Sequence, residues 1–366
     1  MGEQTNPAVR TALYDKHVAL EGKIVEFCGF MMPVQYPMGI IKEHEHVRTK
    51  CGMFDLSHMG EFEVSGPGSA DAVRALITND SLGLVDGQIL YTPMCYDNGT
   101  IVDDLLVYRY SENKWMLVVN AANIDKDEEW VKSHLPEGVN FVNRSADVSL
   151  IALQGPEAAA VLGEFVPVED IEPFHFMETQ IGEHPVLVSR TGYTGEDGFE
   201  LYTGAAQAQA LWDIFIRDER VAPIGLGARD TLRFEAKLML YGNDIDDTTT
   251  PLEAGLGWTV KLDGADFNGK EVLVKQKAEK PARRLVGIEM VGKGIPRQGY
   301  PIFANGEEVG VVTSGTFSPT LKKNLALCYV PRKHGKKGTS LEVGIRKRRV
   351  EAVVIKTPFY KRAQKG

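Results

Sequence analysis

Cysteine is scarce: Cys28, Cys51, Cys95 and Cys328 are the four in 366 residues, far apart and without a Cys-x-x-Cys pair. That spacing argues against a disulfide framework and against a zinc ribbon. Long hydrophobic runs are missing too. The apolar stretches are strand-sized, well short of the roughly 20 residues a membrane helix needs. The first residues show neither the apolar centre of a signal peptide nor the Arg-rich pattern of a transit peptide, so a cytoplasmic location is expected. There is no Gly-x-Ser-x-Gly elbow, no phosphate loop ending in Gly-Lys-Ser/Thr and no dinucleotide fingerprint. What is present is ordinary for a folded protein: 43% hydrophobic and 25% charged residues, which exclude disordered, collagen-like and coiled-coil classes. The length suggests two or three domains, because one core seldom grows past about 250–300 residues.

The net charge of −9 hides an asymmetry. From Pro319 onward there are 14 Lys and Arg against 2 acids, whereas the preceding 318 residues hold 27 basic and 48 acidic side chains. An acidic body with a basic end argues against a general nucleic-acid binder, whose positive footprint covers the domain that carries it. It suits a protein that meets one acidic partner with one end, or equally a solvated basic face.

Helix and strand patterns are mixed and do not alternate regularly. Residues 42–50, 70–77 and 126–134 read as helices, and 228–240 as a further one ended by Tyr241-Gly242-Asn243. Residues 88–95 and 100–110 read as strands joined at Asp97-Asn98-Gly99, because Asn-Gly accepts positive φ. Further strands are read at 115–120 and 149–153. The polar segment KQKAEKPARR at 275–284 reads as a linker. Beyond it, short β-rich runs at 285–290, 308–314, 325–330, 340–345 and 350–355 suggest a small barrel or sandwich.

Four motifs bear on chemistry. Asp103 and Asp104 sit inside the apolar run Ile101–Tyr108, where Asp is depleted and costly to bury. Neighbouring strand residues face opposite sides, so at least one acid either enters a cavity or protects an edge strand. The run Arg190-Thr-Gly-Tyr-Thr-Gly-Glu-Asp-Gly-Phe-Glu200 forces a tight loop into a strand. A carboxylate at that junction suits an edge with adjacent N–H and NH₂ donors, or closes an ordinary surface hairpin. Within Gly225–Arg233, Arg229 and Arg233 lie one helical turn apart, ready for an anion or for Asp230 and Glu235. His44-x-His46, with His58 nearby, invites a metal site, but residues two apart on a helix point about 200° apart. No metal is expected.

Together these segments resemble the aminomethyltransferase (T-protein) family of the glycine cleavage system along essentially the whole chain. The likeness rests on Phe54-Asp-Leu-Ser-His-Met-Gly60, Gly99–Val107, Val118-Val-Asn-Ala121, Leu153-Gln-Gly-Pro156, Arg190–Glu200 and Gly225–Arg233. It continues through Leu240-Tyr-Gly-Asn-Asp244, Thr250-Pro-Leu-Glu253, Ser318-Pro-Thr-Leu321 and Thr357-Pro-Phe-Tyr360. One departure is Phe27-Cys28-Gly29-Phe30, where the family pattern has Phe-Gly-Gly-Trp; Phe keeps an aromatic ring but loses the indole donor.

The resemblance implies an α+β, three-domain cloverleaf around a channel for tetrahydrofolate. Two interleaved α+β domains, one ferredoxin-like, occupy 1–274, a linker spans 275–284, and a β-barrel fills 285–366. It also implies a reaction: the methylene of an aminomethyl group on the lipoyl arm of the H-protein passes to tetrahydrofolate, giving 5,10-methylenetetrahydrofolate, ammonia and the dihydrolipoyl carrier. Asp104 matches the key carboxylate beside folate N10 and N5, Glu200 the pterin-edge carboxylate, and Arg229 the neighbouring arginine. Met59, Tyr91, Asn120 and Tyr193 match pocket positions, as do Arg297 and Arg362. The lipoylated H-protein is the implied partner, with no nucleic acid and no membrane, and a monomer is expected. Two alternatives share the fold: a folate-dependent demethylase acting on another donor, and a folate-binding iron-sulfur assembly factor, whose cysteine-containing signature is absent here.

Overall fold

A computed structural model describes residues 8–363 and arranges their strands in four sheets. A small sheet joins Val9–Arg10, Phe30–Gln35 and Lys23–Phe27. A six-stranded sheet runs Phe176–Ile181, His184–Ser189, Gly198–Thr203, Ser149–Gln154, Cys51–Asp55 and Val221–Pro223. A five-stranded sheet runs Ile89–Cys95, Ile101–Ser111, Lys114–Val119, Gly60–Ser65 and Asn140–Asn143. The chain leaves the six-stranded sheet after Asp55, builds the five-stranded one, and returns at Ser149. These two sheets are therefore interleaved in sequence.

The C-terminal part closes into a barrel in the order Arg283–Met290, Lys323–Pro331, Glu307–Ser318, Pro301–Ala304, Ser340–Ile345 and Arg348–Ile355. Closure is the reason these short strands leave no free edge. The barrel encloses its own apolar core, Val286, Ile288, Ile302, Cys328 and Val343 among it. A separate cluster, with Leu285, Leu325 and Leu327 against Phe234, Met239 and Ile101, joins the barrel to the rest. Lys336, Lys337 and Arg346–Arg349 are exposed on the barrel.

Local chemistry explains most element ends. Gly99 takes φ +79° in the turn after Tyr96, and the Asn98 carboxamide accepts from Thr100 N at 3.0 Å, so the hairpin forms where Asn-Gly stands. Two expectations need correction. The helix read at 228–240 is Leu226–Glu235. It stops because Lys237 adopts φ +56°, with Lys237 N bonded to Phe234 O and Leu238 N to Arg233 O. That is a Schellman cap with lysine in the left-handed position usually filled by glycine. The segment read as a linker at 275–284 is half helix: Lys270–Glu279 is helical, only Leu273 of it is buried, and the first barrel strand begins at Arg283.

Candidate active site

A cavity of about 490 Å³ opens between the two large sheets and the segment after the helix Leu226–Glu235. Its volume falls within the ~300–1,000 Å³ of small-molecule sites, and its wall is largely apolar with a few polar groups. Asp104, Glu200, Arg229, Met59, Tyr91, Asn120 and Tyr193 all line it. Arg297 and Arg362 do not. Arg297 is exposed and reaches Gly315 O at 3.4 Å, and Arg362, also exposed, pairs with Asp197 at 3.4 Å.

The strand Ile101–Ser111 turns its two acids apart. Asp104 faces the cavity, accepting from the Tyr91 hydroxyl at 2.8 Å and from Asn120 Nδ2 at 2.9 Å. Asp103 is fully buried and accepts from Asn120 N at 3.0 Å, Asn120 Nδ2 at 2.8 Å and Asn123 Nδ2 at 2.7 Å. One carboxamide, that of Asn120, therefore holds both acids. Burial and the charge of Asp103 push Asp104 up to about 7, against the hydrogen bonds from Tyr91 and Asn120.

Glu200 stands on Gly198–Thr203, opposite Ala152 and Ser189. Its carboxylate accepts from the Thr191 hydroxyl. From there a string of hydroxyls runs to Ser189 at 2.8 Å, Tyr108 at 3.2 Å and Tyr202 at 2.8 Å. Burial raises Glu200 above the usual carboxylate range, and Thr191 and Arg229 partly oppose it. The glycines of the preceding loop have a packing reason. A Cβ at Gly192 would stand 2.0 Å from Gln154 Oε1, and one at Gly198 2.3 Å from its Nε2. The Gln154 side chain threads between them, donating to Thr191 O at 3.1 Å and accepting from Thr194 at 2.9 Å.

The arginine pair divides. Arg233 is buried in an ion pair with Asp244, and Asp230 joins it at 2.7 Å; Glu235 instead meets Arg48 at 3.0 Å. Arg229 lies 4.4 Å above the Tyr193 ring and has no ion pair among the described residues. Burial lowers its proton affinity, opposed by Tyr193 and Glu200. An arginine without a carboxylate on a cavity wall is free to meet a ligand. The histidines do not gather: His44 bonds Thr231 and Thr320, each at 2.8 Å, and His46 lies near Cys51 O and Arg220 O. His58 is buried against Phe27 and Phe30, and burial together with Arg229 pushes it down to about 4, so it stays neutral. The Phe27-Cys28-Gly29-Phe30 departure thus sits at the cavity, with Phe27 and Cys28 in its wall.

Sequence reasoning missed Lys237, Trp258, Thr191 and Tyr202 as lining residues. Trp258 stacks on Tyr91 at 5.9 Å from a short 3₁₀ turn with no periodicity of its own. Thr191 lay within the loop motif and was legible as a neighbour of Glu200.

Residues 13–264 match the family profile described as the GCVT N-terminal domain, and residues 283–361 the one described as the glycine cleavage T-protein C-terminal barrel domain. The chain belongs to the glycine cleavage T-protein family. An aminomethyltransferase of Symbiobacterium thermophilum is 49% identical over 96% of this chain and 97% of its own length. One from Bacillus subtilis is also 49% identical, over 96% of this chain and 99% of its own. The crystal structure of glycine cleavage system aminomethyltransferase T from Bartonella henselae superposes with a TM-score of 0.92 at 35% identity, covering 97% of this chain and 98% of that one. The α+β fold with its closed barrel is therefore that of the T-protein family.

Proposed function

We infer that the chain is the aminomethyltransferase of a glycine cleavage system. It takes the aminomethyl group from the lipoyl arm of a partner H-protein and passes its methylene to tetrahydrofolate, releasing ammonia and the dihydrolipoyl carrier. The observation that carries this reading is the pairing, in one mostly apolar cavity, of a half-buried carboxylate fixed by two donors, Asp104, with a buried one, Glu200, beside an arginine that has no ion pair among the described residues.

The wall fits a folate. Glu200 can accept two parallel hydrogen bonds from a pterin edge, and the aromatic wall suits flat rings. Tetrahydrofolate, when bound, supplies the nucleophilic nitrogen that accepts the methylene. Tyr91 and Asn120 hold the Asp104 carboxylate toward the cavity. There it stabilises the positive charge that develops on the aminomethyl group as its bond to sulfur breaks. A fixed carboxylate in a mostly apolar cavity does this without reorganisation when the charge appears. Met59, Tyr193 and Arg229 complete the pocket in this reading; Arg297 and Arg362 lie outside its wall and take no part in it.

The deciding experiment combines purified protein, tetrahydrofolate and aminomethyl-loaded H-protein and measures ammonia. Release that needs all three supports the reading. Turnover with dimethylsulfoniopropionate in place of the loaded H-protein would return it to the demethylases.

A further inference from the structure

The cavity wall carries two basic side chains, Arg229 and Lys237. Arg229 lies over the Tyr193 ring and feels the charge of Glu200. Lys237 comes from the turn that ends the helix Leu226–Glu235, where its φ is +56°. Glycine takes that conformation without strain, and lysine does not. The Lys237 Nζ lies 3.2 Å from where a Cβ on Gly255 would stand. Gly255 is itself in the wall, so the half-buried ammonium lies along the cavity. Among the described residues no carboxylate pairs with it and no oxygen accepts from it. Burial and the charge of Arg284 lower its proton affinity, with Asp244 opposing them. A half-buried cation without a counter-charge on a cavity wall is a place for an anion.

The surroundings of Lys237 say which anion. Tyr91 donates to Asp104 at 2.8 Å and stacks on Trp258 at 5.9 Å. Gly255, Leu256 and Trp258 continue the wall from there, and Trp258 is 62% exposed, so this stretch of wall meets solvent. Lys237, with its Nζ against Gly255, therefore stands on the Trp258 side of the site, where the cavity opens. We propose that Lys237 binds the glutamyl tail of tetrahydrofolate, its ammonium donating to a tail carboxylate. This rests on the reading of the cavity given above, in which the pterin meets Glu200 and the reacting nitrogens meet Asp104. The tail is where that molecule carries its negative charge, and it follows the reacting nitrogens outward. It is thus the part that an unpaired cation past Asp104, at the opening, would hold.

The test is titration calorimetry on the full chain with two ligands: tetrahydrofolate, and its derivative in which both glutamyl carboxylates are amides. Wild type is compared with Lys237→Gly and Lys237→Arg. Glycine suits the local φ, so the unfolding midpoint of Lys237→Gly should not fall. At low ionic strength Lys237→Gly should bind tetrahydrofolate about 5-fold or more weakly than wild type, whereas Lys237→Arg, which keeps the charge, should stay within about 2-fold. Wild type should bind the diamide more weakly than tetrahydrofolate by a similar factor, and Lys237→Gly should bind the two alike. A wild-type Kd for tetrahydrofolate in Lys237→Gly overturns the proposal, as does a variant that still prefers the carboxylate form as strongly as wild type. A rise in the KM for loaded H-protein with folate binding intact would assign the cation to the partner and overturn it too. The reading of the cavity fails separately, if wild type itself binds no tetrahydrofolate.

Discussion

Replacing Glu200 with Gln separates binding from chemistry. In wild type, Glu200 is buried at the cavity wall; one oxygen accepts from Thr191, and both oxygens keep lone pairs for the pterin edge. Gln offers one acceptor and one donor where the pterin edge presents two donors. Whichever way the carboxamide turns, a buried donor meets a donor. Leaving such a group unpaired costs about 1–3 kcal/mol, or roughly 5–150-fold in Kd for tetrahydrofolate. Titration calorimetry reads that change directly, and kcat at saturating folate should move little, because Glu200 acts on the pterin and not on the reacting carbon. There is also a pH signature. Burial raises Glu200, and its charged form is the one that accepts two hydrogen bonds, so wild-type affinity should weaken as pH falls through that raised value. The Gln variant should lack this dependence. Unchanged affinity in Glu200→Gln would refute the assignment of the pterin edge to this carboxylate.

Other outcomes follow from the same structure. Asp104 acts as the anion and titrates near 7, so kcat/KM should fall as pH drops through about 7; a profile flat from pH 5 to 9 would be inconsistent with that role. Arg233→Ala leaves Asp244 buried without its counter-charge, and denaturant unfolding should show a loss of about 3–5 kcal/mol; a loss below about 1 would mean that the pair is not buried in solution. Reversing Lys336 and Lys337 to Glu on the exposed barrel face should raise the KM for loaded H-protein several-fold at low ionic strength. The effect should vanish near 1 M salt, where the Debye length is about 3 Å, with tetrahydrofolate affinity unmoved throughout. A wild-type KM at low salt would make these lysines ordinary solvated surface.

The features legible in the sequence were those whose physics is local. Two aspartates in an apolar strand betray a cavity or a protected edge because burying them unpaired is costly, and Asn98-Gly99 announces its hairpin by the φ it permits. The barrel showed in the spacing of its short strands. What stayed hidden depends on distant partners or on a residue standing where another is usual. Arg229 and Arg233 look alike in the sequence, and Asp244, packed against the helix end, together with Asp230 decides which is neutralised. Lys237 ends its helix in a left-handed conformation that glycine would have advertised, so the helix was read five residues too long and the wall at 237–241 was missed. The helix Lys270–Glu279 buries one side chain, Leu273, and so has the composition of a linker. Gln154, which the loop glycines make room for, is far from them in sequence, so its place between them was not legible there.

The central claim is that the Asp104 carboxylate does the electrostatic work of the transfer, and Asp104→Asn tests it most directly. The swap keeps the shape and can still meet Tyr91, but it removes the charge. Ammonia release should be followed in a single turnover with aminomethyl-loaded H-protein and saturating tetrahydrofolate, with folate affinity measured on the same sample. Loss of a preorganised charge in a closed site should lower the rate by about 100-fold or more, while folding and folate affinity largely persist. An Asn variant that releases ammonia at the wild-type rate would contradict the account at its centre.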